Sequence, residues 1–138
     1  MTKNNCKISL KTSTLGAAKI ENYCGVISKT SNLTYITYNE LYEGNPIKTT
    51  FSILTDNSIK VSKSGDYSYS FLLKENAETD FLLKYQSFSV SYKVKTSKII
   101  IKESQNSIKI IVKYQMISGS EVTKNTIELQ VALGESLC

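Results

Sequence analysis

Among the residues of this chain that could do chemistry, one carboxylate stands out by its neighbours. In the stretch TYITYNELY at 34–42, Ile36, Tyr38, Glu40 and Tyr42 share one face of a segment whose β-branched and aromatic residues favour a strand. A carboxylate among rings on a core-bound face is costly unless a cation or a hydrogen-bond donor meets it. Lys63 is the matching oddity. It ends the run Ile59, Val61, Lys63 on an apolar face, while Lys60 points away. Glu40 and Lys63 are cheaper to bury together than apart. With Tyr38 and Tyr67 as hydrogen-bond donors beside them, Tyr38, Glu40, Lys63 and Tyr67 form the candidate ligand-binding set. Such a cluster could anchor the polar end of a small molecule, or it could be an ion pair that holds strand register.

The other chemistry-bearing residue types argue by absence. The chain has no His, which removes His-dependent triads, imidazole metal ligands and imidazole bases. No nucleophile–base pair, Gly-rich phosphate loop or metal-ligand spacing occurs, so no enzyme, no cofactor and no metal are expected. The three cysteines, Cys6, Cys24 and Cys138, are odd in number and form no CxxC. They read as reduced, small hydrophobes, with Cys6 and Cys24 on the better-buried faces of the first two strands. The net charge of +5 comes entirely from Lys, since Arg is absent. Lys93, Lys95, Lys102, Lys109, Lys113 and Lys124 fall on outward positions and could make a basic face. Few outward aromatics accompany them, which weighs against RNA. The alternative to a ligand-binding protein is therefore a non-catalytic interaction protein with a closed core, meeting a protein or RNA partner through that Lys-rich face.

These residues need elements to position them. A chain of 138 residues is one domain with a core of its own, and its 41% hydrophobic and 21% charged composition is that of a globular protein. No apolar run approaches the ~20 residues of a membrane span. The N-terminal MTKNNCKISLK carries no apolar stretch of signal length, so a cytoplasmic location is expected. Period-2 alternation runs from end to end: Cys6, Ile8, Leu10; Tyr67, Tyr69, Phe71, Leu73; Phe88, Val90, Tyr92, Val94; Ile127, Leu129, Val131, Leu133. Turn-forming residues recur roughly every 10 to 12 positions, as hairpin-linked strands require. Only 13–19 and 75–80 could hide a short helical turn. The fold class expected is all-β: a single up-and-down antiparallel β-barrel of about 8–10 strands spanning residues 1–138.

Registers follow from demanding that apolar faces meet across each hairpin. That rule sets Val112 opposite Ile127, Ile110 opposite Leu129, Ile108 opposite Val131 and Leu83 opposite Val90. It also sets Tyr38 opposite Phe51, Phe51 opposite Lys63 and Lys63 opposite Tyr67, with Glu40 one step toward the same end. Ile100 and Ile111 become neighbours on the outer face, a small apolar patch that is either a dimer contact or covered by a loop, so that a monomer or a homodimer is expected. Phe51, Tyr69, Phe71, Phe81, Tyr85, Phe88, Tyr92 and Tyr114 are all expected to point inward. Their phenol groups need partners, so the interior could hold water or one small ligand.

The order of these motifs resembles the YwiB-like family, small bacterial proteins of unknown function. The resemblance rests on Tyr38-Asn39-Glu40, Thr49-Thr50-Phe51, Lys63-Ser64-Gly65, Phe71 and the Tyr-rich second half, and runs from about Lys7 to Leu133. It implies a lipocalin-like (calycin-like) β-barrel and no established activity. The family tends to have Arg where this chain has Lys63, so a bidentate fork to a carboxylate is replaced here by a point charge.

Overall fold

The computed structural model describes residues 2–65, 68–85 and 87–134. Its elements are ten strands: β1 (Thr2–Thr14), β2 (Ala17–Lys29), β3 (Thr34–Tyr42), β4 (Asn45–Ile53), β5 (Ile59–Ser64), β6 (Ser68–Leu73), β7 (Ala77–Tyr85), β8 (Phe88–Glu103), β9 (Ser107–Ser118) and β10 (Glu121–Leu133). Each pairs antiparallel with its sequence neighbours, and β1 pairs with β10, so the sheet closes into an up-and-down barrel. Among the described residues there is no helix. Residues 13–19 form instead a hairpin whose turn, Leu15-Gly16, has positive φ at both positions. Such a turn matches the right-handed twist of its strands.

The alternation seen in the sequence is the inside–outside alternation of the barrel. Cys6, Ile8, Ile27, Ile36, Phe51, Ile59, Leu73, Val94, Ile110, Val112 and Leu129 are all buried in one continuous core. Tyr69, Tyr92 and Tyr114 are half-buried and pack against that core. The side chains of Tyr85 and Phe88 lie outside those described. The pairings expected for β9–β10 and for Leu83 with Val90 are those observed, and Ile100 does face Ile111.

Three hairpins differ from expectation by two residues each. Tyr38 lies opposite Thr49, not Phe51; Thr49, not Phe51, lies opposite Lys63; and Lys63 lies opposite Tyr69, not Tyr67. The cause is in the turns. The β3–β4 link is a two-residue turn, with positive φ at Glu43 and Gly44 and Tyr42 already paired with Asn45. Residues 54–58 link β4 to β5, and the Leu54 amide donates to the Ser58 carbonyl at 2.9 Å, which sets Ile53 opposite Ile59. Asn57 takes the left-handed conformation there, and the Asp56 carboxylate accepts from the Ser58 amide at 3.0 Å. A two-residue slip keeps every side chain on its face, so the core survives while the rows change.

A second correction concerns Cys24. The β1–β2 register sets Lys7 against Cys24, on the outward face, so only Cys6 of this pair is buried. Cys24 is disulfide-bonded, not reduced as expected, whereas Cys6 is a buried thiol.

The closure is uneven at two seams. β2 and β3 pair only through 25–29 and 34–38, so residues 17–24 of β2 have β1 on one side alone. β6 and β7 pair only through 68–70 and 82–84. The first seam opens at the end of the barrel that carries Glu40, and the second opens at the other end.

Candidate functional site

The site begins at a glycine. Gly25 lies opposite Tyr38, and a Cβ there would stand 2.5 Å from the Thr37 carbonyl oxygen and 2.7 Å from Ile8 Cδ1. Only a residue without a side chain lets β2 and β3 cross this closely. Beyond Gly25 the strands part, and the space between them is filled by rings. Tyr23 stacks on Tyr38 with centroids 4.6 Å apart, and Tyr38 in turn lies 6.4 Å from Phe51.

Polar atoms line the top of this stack. The Lys63 ammonium meets Glu40 Oε2 at 2.7 Å. The Tyr38 hydroxyl donates to Glu40 Oε1 at 3.3 Å. Across the seam the Tyr23 hydroxyl donates to Glu21 Oε2 at 2.7 Å, and Lys19 lies 3.6 Å from Glu21 Oε1. Glu40 and Lys63 keep 15% and 20% of their side-chain surface, so the pair sits at a rim rather than deep in the core. Burial, then the negative charge of Glu40, holds the Tyr38 phenol far above its ordinary pKa. Tyr23 is raised by burial and by its bond to Glu21. Both phenols stay protonated and act as donors toward the carboxylates.

Of the four residues singled out in the sequence, the structure brings Tyr38, Glu40 and Lys63 together. Tyr67 lies outside the described residues. The direct ion pair spans two strands, as the alternation of β3 and β5 requires. Lys63 also has a buried neighbour that the sequence reading missed: Thr49, directly opposite, whose Oγ1 has no hydrogen-bond partner. Tyr23 and Glu21 were missed as well. Their signal was present, because a glycine inside a strand marks a close backbone approach and the residues two and four positions before it share its face.

Beside Lys63 lies a cavity of about 150 Å³, lined also by Tyr38, Phe51, Tyr69, Phe71 and Tyr114 among others. Burial, with Tyr69 nearby, pushes the Tyr114 phenol up to about 12. Among the described residues no three His, Cys, Asp or Glu gather as metal ligands would. The Lys-rich outer face is partly neutralised: Lys93 pairs with Asp80, and Lys109 lies 3.2 Å from Glu128.

A family model for a domain of unknown function, DUF1934, matches residues 8–130. The chain belongs to this family. Its fold is also that of the ywiB protein from Bacillus subtilis, whose crystal structure superposes with a TM-score of 0.81. That match covers 96% of this chain and 93% of the other at 17% identity, a likeness of fold alone. No curated protein matches the chain. Membership in DUF1934 thus accounts for the barrel and assigns it no activity.

Proposed function

We propose that the barrel is a non-catalytic binding protein for a ring-sized molecule carrying an acidic group, held beside Lys63. The observation that carries this reading is the cavity lined by tyrosine and phenylalanine rings together with Lys63 and the polar Thr12, Thr14 and Asn125. Its volume of about 150 Å³ is comparable to apolar cavities that hold one benzene. An ammonium has three donors, and Glu40 occupies one of them. The donors left over suit a carboxylate or another anionic oxygen on the ligand, while the rings suit its flat body.

The test is ligand-observed NMR with a panel of small aromatic and heterocyclic acids, run beside their neutral amides. An acid binds and its amide does not, and Lys63→Met weakens the acid about tenfold or more, a loss of roughly 1.4 kcal/mol. Failure of every acid to bind, or equal binding by Lys63→Met, sinks the reading.

A further inference from the structure

Among the described residues, the seam between β2 and β3 leaves one side of 17–23 without a strand, and Cys24 at the inner end of that stretch is held in a disulfide. On the other side these residues pair with β1. A free edge of this length is a template for another strand, and proteins ordinarily blunt such edges with proline, bulges or charge. This one has no proline and no irregularity in its pairing with β1. It is also unusually apolar for its exposure. Ile20 on the edge is 63% exposed, Leu15 at its hairpin tip 85%, and Leu41 on the facing strand 77%. A concavity of about 890 Å³ marks the outside of the seam where the two strands separate, lined by Cys24, Val26, Tyr35, Thr37 and Asn39 among others.

The charges on the edge choose its occupant. If two copies of the edge pair antiparallel about a two-fold axis, like faces meet only when the two residue numbers opposite each other sum to an even value. Placing Ile20 on the axis sets Ile20 against Ile20, Lys19 against Glu21 twice by symmetry, and Ala18 against Asn22. Sliding by one step in either direction sets Lys19 against Lys19 or Glu21 against Glu21. Opposite charges directly across a strand pair stabilise it and like charges destabilise it, so a single register is favoured. Within one copy Lys19 and Glu21 are on the same face at 3.6 Å, with Lys19 largely in solvent. Lys19 can turn to the partner freely, and Glu21 can offer Oε1 to it while Oε2 keeps its bond to the Tyr23 hydroxyl.

We infer that the free edge of β2 is a self-association surface, through which two copies join their barrels into one continuous sheet with Ile20 on the two-fold axis. The partner is a second copy of this chain, because the edge is complementary to itself. This inference stands apart from the ligand reading, whose cavity lies inside the barrel.

Sedimentation velocity over a concentration series from low micromolar upward tests it, with far-ultraviolet circular dichroism confirming that each variant keeps its strands. The unaltered chain forms a concentration-dependent dimer. Lys19→Glu places Glu against Glu across the axis, and Glu21→Lys places Lys against Lys. Each variant alone dissociates at least about tenfold more readily. Mixed in equal amounts, the two recover a dimer, because each opposes the charges of the other at both positions. Ile20→Lys also abolishes the dimer. A chain that stays monomeric throughout, or a mixture no more associated than its components, overturns the proposal. The first of those results would leave the edge to an extended segment of a different protein.

Discussion

The two seams of this barrel solve one problem in different ways. Where β6 and β7 part, short polar side chains stitch the gap. The Thr79 hydroxyl crosses it, donating to the Leu72 carbonyl, and the linking turn is tied to β8: Glu75 accepts from the Ile99 amide at 2.8 Å and the Asn76 amide donates to the Thr96 carbonyl at 2.9 Å. Backbone groups that lost a strand are given substitutes, as buried peptide groups require. Where β2 and β3 part, no such stitching appears among the described residues. The gap holds stacked rings, two carboxylates and a lysine, and these groups bond to one another. A seam closed onto backbone is a structural repair. A seam lined with side-chain donors and acceptors around a cavity has groups to offer a ligand.

The largest effect that can break this contrast is at Gly25. Gly25→Ala drives a Cβ into the Thr37 carbonyl and the Ile8 methyl, both belonging to packed elements. Overpacking of this kind costs about 2–3 kcal/mol. Urea unfolding monitored by circular dichroism shows the loss as a lower midpoint with an unchanged slope. A cost below about 0.5 kcal/mol would mean that β2 and β3 do not cross as closely as the split at this seam requires.

Smaller effects separate the roles of the two seams. Glu40→Gln leaves the Lys63 ammonium without its counter-charge at a half-buried rim, a loss of about 1–2 kcal/mol in stability. Thr79→Val removes the stitching hydroxyl and costs about 1 kcal/mol. The difference lies in where each change is felt. Hydrogen exchange in Thr79→Val quickens at Leu72, Val94 and their neighbours, while binding of a small acid at the other end is untouched. Glu40→Gln alters that binding because Lys63 then turns a free donor to the ligand. Equal effects of both variants on binding would erase the distinction between the seams.

How much of this was legible in the sequence depends on what each feature rests on. Period-2 alternation set the faces, and faces decide the core, so Glu40 and Lys63 were placed on the inside correctly. Rows depend on turns, and turn length is a weaker signal. Glu43-Gly44 and Asp56-Asn57 each admit loops that differ in length or starting point, and every alternative keeps the faces. Tyr38 was therefore given Phe51 as neighbour when the structure gives it Thr49. Tyr23 and Glu21 were missed for a different reason. They meet Tyr38 and Glu40 only because β2 and β3 separate beyond Gly25, and a seam is a property of closure rather than of any one strand. Cys24 fell on the wrong face because the alternation of β2 is masked there by small and polar residues on both sides.

Thr49 carries the smallest effect and sharpens the contrast most. It lies fully buried between Tyr38 and Lys63, and its hydroxyl has no partner. A buried hydroxyl that bonds to nothing costs free energy, so Thr49→Val, which keeps the shape, leaves stability unchanged or raises it by up to about 1 kcal/mol. Thr96, buried beside the stitched seam with an unpaired Oγ1 of its own, gives the control. If the open seam exists for a ligand, Thr49→Val gains stability and loses affinity for the small acid, whereas Thr96→Val gains stability and keeps it. Thermal melts with and without the acid read both quantities in one experiment. Identical behaviour of the two variants would mean that an unpaired hydroxyl is a tolerated flaw of this barrel, wherever it occurs, and no mark of a binding site.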